Sequence, residues 1–423
     1  MLYQFLKILV RIALKLFFKR IYISGLENIK PDRPQLVASN HPSGFMEPLI
    51  MACFFPKSLH FLVRGDVFDK KWLRPLLEST NQIPIFRFKD GFSRLRENTQ
   101  TIDASTQVLL DNKNLLIFAE GSTQSIKKLR PLQKGIARIG FQALDKNPDL
   151  NLEILPVGIN FTFSSLFNDE VMLKIGQPIA VKSYYNAYMH DKNLATEKLL
   201  HDTYQTMLPN VIHVEDQTQL PAFEELVLLT RKNYRIESPH PVHIPTTERL
   251  EAEITLANTF NTLDIATRKS LTDQVLKLKI HFSTKLQSTS DILQSAVNPG
   301  KWLILILGLM PALIGILFHA LPLACAWLFM SAKVKQREFK SSILFVVSLV
   351  LTLMMYLIIV VLSIIFQWPW WILPLIVTAG LWARYYHRVW SSIFIRETKD
   401  IQNYTEALDN IYQTYLPSGI QVH

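Results

Sequence analysis

The stretch Ser342–Phe366 holds no charged residue and no proline over 25 positions. At about 1.5 Å per residue, a helix of that length matches a bilayer core of roughly 30 Å. A chain containing it must either bury the whole segment or place it in lipid. Two neighbouring stretches are nearly as apolar. Trp302–Met330 is interrupted by Pro311, His319 and Pro322, and Trp368–Ala383 opens on Trp368, Trp370 and Trp371, an aromatic cluster of the kind found at membrane interfaces. The expectation is a C-terminal membrane region at 299–385 followed by a polar tail at 386–423. Ser342–Phe366 and Trp368–Ala383 would form a hairpin turning near Gln367–Trp371. Pro311 and Pro322 argue against a straight helix through 302–330, so a broken, re-entrant or short hairpin unit is predicted there.

The N-terminal part has a different pattern. Strand-like apolar runs occur at Leu36–Ser39, Leu59–Val63, Gln82–Phe86, Leu115–Phe118, Glu153–Val157 and Val171–Ile175. Helical patterns fill the gaps between the first five, at Met46–Phe55, Lys70–Glu78, Gly91–Asp111 and Gln133–Asp145. Alternation of this kind predicts an α/β domain at 21–185, a mixed, largely parallel sheet covered by helices. Residues 1–20 read as an amphipathic interface helix, with Lys7, Arg11 and Lys15 along one side. Residues 186–298 read as a helical region, interrupted by several prolines and without a chemical motif.

Charge and cysteine content narrow the function classes. The net charge is +10. On a chain with membrane segments, that favours anionic headgroups or phosphorylated substrates over nucleic acid. Cys53 and Cys325 stand far apart in apolar surroundings, which predicts neither a disulfide framework nor a metal site. No cleavable signal peptide is read at the N-terminus, where the apolar residues are interrupted by charges.

The chemistry-bearing stretches sit where strands end. Asn40-His41-Pro42-Ser43-Gly44-Phe45-Met46-Glu47 follows the first strand-like run. A carboxylate beside an imidazole can hold its tautomer and make it a general base. Ile83-Pro84-Ile85-Phe86-Arg87, Ile117-Phe118-Ala119-Glu120-Gly121-Ser122-Thr123 and Ile154-Leu155-Pro156-Val157-Gly158 follow in order. Together the four stretches resemble the blocks of the glycerolipid acyltransferase superfamily, over roughly residues 20–185. The usual first block separates His from Asp by four residues. Here Met46 stands at that place and Glu47 one residue later, an insertion that Gly44 could absorb through positive φ.

The resemblance implies an enzyme that moves a fatty acyl group from an acyl thioester to glycerol 3-phosphate or a lysophospholipid. The donor would be acyl-CoA or acyl-carrier protein as co-substrate, with no metal and no organic cofactor. His41 would be the general base and Glu47 its orienting acid, with Asp66 as the fallback acid. Arg87 would bind the acceptor phosphate. Glu120, Gly121, Ser122, Thr123 and Lys134 would form the substrate-binding turn, Glu120 accepting a substrate hydroxyl or holding Arg87. Pro156 and Gly158 would shape the pocket wall. The expected partners are membrane lipids, and the catalytic domain would face the cytoplasm. Two other readings stay open, an inactive lipid-binding scaffold of the same fold and an acyl-thioester hydrolase. No Gly-x-Ser-x-Gly elbow occurs, which removes the common serine version of the latter.

Overall fold

The computed structural model describes residues 2–86, 98–163, 167–230, 242–282, 299–394 and 399–416. Nine strands form one sheet: β1 (Arg20–Ser24), β2 (Gln35–Ser39), β3 (Leu59–Arg64), β4 (Gln82–Ile85), β5 (Asn114–Phe118), β6 (Glu153–Phe161), β7 (Glu170–Ile175), β8 (Ile179–Ala180) and β9 (His243–Ile244). Their order is β4-β3-β5-β2-β6-β7-β1-β9, with β8 beside β6. Among the described residues only the β6–β7 and β6–β8 pairs are antiparallel. The sheet is therefore mixed and largely parallel, as the alternation predicts, and the six expected strands are all present.

The helices are α1 (Leu2–Phe17), α2 (Met46–Phe54), α3 (Arg74–Ser79), α4 (Asn98–Leu110), α5 (Gly135–Lys146), α6 (Lys182–His190), α7 (Lys192–Met207), α8 (Leu220–Thr230), α9 (Glu248–Thr262), α10 (Ile265–Phe282), α11 (Pro299–Leu307), α12 (Leu309–Lys333), α13 (Arg337–Ile365), α14 (Ile372–Phe394) and α15 (Lys399–Tyr415). The helix expected from Lys70 begins only at Arg74, where Pro75 takes a first-turn place whose N–H is not needed. Residues 91–97 of the third expected helix lie outside the described residues.

Strand period decides what each face of the sheet touches. Val37, Leu116, Leu155 and Val157 point into a cluster with Leu14, Phe17, Met46, Ile50 and Phe345. Their neighbours Leu36, Ala38, Leu115, Ile117 and Ile154 point the other way, toward Ile136, Phe141, Leu144 and Leu199. Burial on both faces explains why the central strands are nearly all apolar. Each fully buried aliphatic side chain contributes about 1.5–3 kcal/mol.

The helical region is continuous with this sheet. β9 extends the β1 edge, and Tyr22 and Met172 pack with Phe223, Phe260 and Val275. The segment read as a polar tail joins the same cluster. In α15 and just past its end, the four-residue spacing of Tyr404, Leu408, Tyr412 and Leu416 places all four in that core.

The apolar C-terminal part departs from expectation in one respect. The break in 302–330 falls at Gly308, and α12 then runs unbroken over 25 residues with Pro322 inside it. Pro311 lies in the first turn, where a missing N–H costs little. A side chain at Gly308 would meet the Ile304 carbonyl and the Trp382 ring, so close packing sets the break. Among the described residues two helices, α12 and α13, are long and apolar enough to cross a membrane. α13 and α14 follow one another across a short turn at 366–371, and α14 packs chiefly on α12. The start of α13 is tied to the sheet domain, where Gly44 N–H donates to the Glu338 carbonyl at 2.7 Å. The end of α14 is tied there too, where Arg384 Nε donates to the Leu16 carbonyl at 2.9 Å. The turn between α13 and α14 contains Gln367 at φ +53° and Trp370 at 84% exposure.

Candidate active site

The C-terminal ends of β2 and β5 lie side by side, since these strands pair in register from Leu36–Leu115 to Ser39–Phe118. Strand ends of this kind form the ligand rim of open α/β sheets. Three bonds join the loops beyond them. Ala119 N–H donates to the Ser39 carbonyl at 3.1 Å, Gln124 N–H to the His41 carbonyl at 3.2 Å, and His41 N–H to Glu120 Oε2 at 3.0 Å. On the other side, Asn40 replaces a strand backbone. Its Oδ1 accepts from Ile159 N–H at 2.8 Å and its Nδ2 donates to the Ile159 carbonyl at 2.9 Å. The asparagine thus pins the histidine turn to the strand carrying Pro156 and Gly158. Gly158 leaves room for another chain segment, because a Cβ there would lie 1.9 Å from the Asn210 carbonyl oxygen.

Within this frame His41 Nδ1 lies 3.5 Å from Glu47 Oε2. The imidazole is stacked flat on Phe118, with ring centres 3.9 Å apart and planes 10° off parallel. Glu47 is fully buried in the first turn of α2. Its Oε1 accepts from Ser43 N–H. Neither His41 Nδ1 nor Glu47 Oε2 has another hydrogen-bond partner among the described residues. Burial pushes the Glu47 carboxyl above its ordinary range, and the neighbouring imidazole pulls it back only in part.

The extra residue of this turn is absorbed by helix register. Met46 is wholly buried in the core, and Glu47, the next position round α2, faces His41. Gly44 plays a different part from the one expected of it. Its φ is not positive, and a Cβ there would lie 2.6 Å from Phe339 Cδ1 and 3.2 Å from Ser342 Oγ. Glycine is required by the seating of α13 on the turn. Phe45 N–H donates to Ser342 Oγ at 3.2 Å. Asp66 is engaged elsewhere, in a two-pronged exposed pair with Arg64.

Glu120 is bracketed by the protein itself. Its Oε1 accepts from Arg130 N–H at 2.8 Å, and its Oε2 accepts from Arg130 Nη2 at 2.7 Å as well as from His41 N–H. Arg130 Nη1 also donates to Ser122 Oγ at 2.6 Å. Gly121 adopts φ +72°, a left-handed conformation that glycine takes without strain. Lys134 is exposed and stands 3.6 Å from Glu197. Arg87 lies outside the described residues. Two contributors to the site receive no role from the sequence alone. Phe118 is the strand residue before Ala119, and Arg130 lies in a basic run that reads equally well as solvated surface.

Comparison with known proteins bears on the same region. Residues 20–160 match the protein-family model described as Acyltransferase. Over 145 residues the chain is 27% identical to glycerol-3-phosphate O-acyltransferase 1 of Saccharomyces cerevisiae, covering 34% of this chain and 19% of that protein. Over 134 residues it is 26% identical to an uncharacterized acyltransferase of Schizosaccharomyces pombe, covering 31% and 18%. The chain thus spans less than a fifth of the length of these curated relatives. Among solved structures it is similar to a 1-acyl-sn-glycerophosphate acyltransferase from Thermotoga maritima. The TM-score is 0.36 and the identity 17%, over 48% of this chain and 78% of that one.

Proposed function

We propose that this chain, which over residues 20–160 matches the acyltransferase family and is similar to glycerol-3-phosphate O-acyltransferases, transfers a fatty acyl group from an acyl thioester to a hydroxyl of glycerol 3-phosphate or a lysophospholipid, with His41 as general base. The observation that carries the reading is the pair itself, an imidazole nitrogen facing a fully buried carboxylate on a strand-end rim. Glu47 holds the proton on Nδ1, which leaves Nε2 as the base. No hydrogen bond occupies Nε2 among the described residues.

The acceptor hydroxyl gives its proton to Nε2 as its oxygen attacks the thioester carbonyl. The tetrahedral adduct collapses with loss of the thiolate, which recovers the proton from Nε2. Glu47 stabilises the imidazolium in between. General base catalysis of this kind contributes about 10²–10⁴-fold. The 3.5 Å separation is long for a hydrogen bond, and such contacts tighten when substrate is bound. Arg87 is assigned to the acceptor phosphate on sequence alone, and Gly121, Ser122, Thr123 and Lys134 to the substrate rim.

The reading includes a membrane setting. α13 and α14 would enter the bilayer with their Trp368–Trp371 turn at the far interface. The basic residues Lys333, Lys335, Arg337, Lys340, Arg384 and Arg388 would stay with the catalytic domain on the cytoplasmic side.

The test is purified protein offered acyl-CoA or acyl-carrier protein with glycerol 3-phosphate, 1-acylglycerol 3-phosphate or no acceptor, with thiol release and acylated product both measured. Acceptor-dependent release with matching product is expected. Release without acceptor would make the chain a hydrolase, and no turnover would make it a scaffold.

A further inference from the structure

The junction of α1, β1 and α14 gathers three arginines; Arg20 stands opposite Glu170 in the β1–β7 register, while Arg384 and Arg388 have no acidic partner among the described residues. Arg384 donates Nε to the Leu16 carbonyl and Nη2 to Asn168 Oδ1, and its guanidinium carbon stands 5.0 Å from the centre of the Phe167 ring. One turn further along α14, Arg388 donates Nη2 to the carbonyls of Lys15 and Phe18 at 3.1 and 3.0 Å. Arg388 is within electrostatic reach of both Arg384 and Arg20. Arg20 is 3% exposed, and its Nη1 donates to the Lys19 carbonyl.

Every acceptor in this set is a neutral oxygen. The Nε atoms of Arg20 and Arg388 are buried with no hydrogen-bond partner among the described residues. Cations withdrawn from water without a counter-charge cost several kcal/mol each, so the Arg384–Arg388 pair is incomplete among the described residues.

Beside the cluster opens a cavity of about 400 Å³ between α1, α12, α13 and α14. Leu16, Phe345, Leu349, Val377 and Leu381 line it, with Arg384 on its wall. Its volume is in the ~300–1,000 Å³ range of ligand sites. The exposed face of α1 carries Phe5, Ile8 and Ile12; a helix of this kind lying in a membrane interface would set the junction where a bilayer changes from chains to headgroups.

An anion-seeking cluster joined to an apolar cavity at that depth fits an amphiphile. We propose that this junction binds one acidic glycerophospholipid from the bilayer, its phosphate on Arg384 and Arg388 and an acyl chain in the cavity. Guanidinium groups pair with phosphate through two parallel hydrogen bonds. The bound lipid would clamp the foot of α14 to the sheet domain. The catalytic turn is held separately, by the start of α13.

The full chain in mild detergent tests the idea through thermal unfolding and analysis of retained lipid. Three probes separate the contributions: phosphatidylglycerol, phosphatidylcholine with the same chains, and inorganic phosphate. Only phosphatidylglycerol is expected to raise the unfolding temperature. Arg388→Gln should lower its retention about tenfold or more, the loss of one charge-assisted contact, and Arg388→Lys should restore part of it. Ser348→Phe fills the cavity without changing charge and should also release the lipid. Equal stabilisation by phosphatidylcholine or by phosphate alone would overturn the proposal. So would undiminished retention in Ser348→Phe, which decides the matter even where Arg388→Gln fails to fold.

Discussion

Glu47 and Glu120 are both buried glutamates in turns that follow adjacent parallel strands, yet the protein treats them oppositely. Glu120 has both oxygens occupied, by Arg130 and by the His41 amide. Glu47 receives one backbone N–H and leaves its second oxygen facing an imidazole. A carboxylate neutralised by arginine has its charge spent on holding two loops together. A carboxylate left under-bonded beside a titratable ring can stabilise a charge that comes and goes. Burial alone does not separate the two glutamates; the unfilled lone pair of Glu47 does.

The sharpest way to break this contrast is at the ring itself. His41→Ala should lower acyl transfer by about 10²-fold or more, with the circular dichroism spectrum unchanged. Retention of a tenth of the activity would end the assignment of the base. Glu120→Gln should act first on the fold. It strands the largely buried Arg130 guanidinium, and breaking such a pair costs about 3–5 kcal/mol. The expected readout is a fall in unfolding temperature that accounts for the lost activity. A stable protein with selectively lost turnover would move Glu120 into the chemistry.

Glu47→Gln should give the reverse pattern, with activity lost by less than in His41→Ala and stability kept. The sign of the pH effect follows from the raised carboxyl. The folded form binds a proton that the unfolded chain, near 4.5, has already released. Glu47 therefore favours the folded state most below 4.5, and this contribution is lost as pH rises through the higher folded value. Thermal unfolding of Glu47→Gln across that window should show a weaker decline with pH than wild type. An identical decline would mean that Glu47 is not the group responsible. The smallest effect is expected from Ser342→Ala, which removes one hydrogen bond to Phe45, worth about 0.5–1.5 kcal/mol. Because that bond seats the catalytic turn, the maximal rate should fall while the acceptor Michaelis constant holds. A change in the Michaelis constant alone would count against this positioning role.

These contrasts divide what the sequence discloses from what it cannot. Period-two burial in β2 and β5 and the histidine turn after β2 are local, and they are legible. The reach of Glu47 to His41 is also local, set by one turn of α2. The Glu120–Arg130 bracket depends on a loop folding back over ten residues, and nothing in the basic run distinguishes Arg130 from Lys127 or Lys128. Gly44 is the clearest case. Its motif reading suggests a backbone conformation, whereas its reason is Phe339, far along the chain. β1 escapes notice because it begins at a buried arginine directly after α1. In α15, a narrow apolar stripe is hidden within a polar composition.

The seating of α13 on the catalytic turn has a consequence for biosynthesis. A ribosome delivers residues 43–45 long before residues 338–342. Until Glu338 and Ser342 emerge, Gly44 and Phe45 lack the acceptors that hold their amides in the finished protein. The sheet can form early, but the turn bearing His41 is completed only when the start of α13 arrives. The final geometry of the histidine turn is thereby timed to the synthesis of the apolar segment that begins at Arg337, and a nascent or prematurely terminated chain carries the motif without its final support.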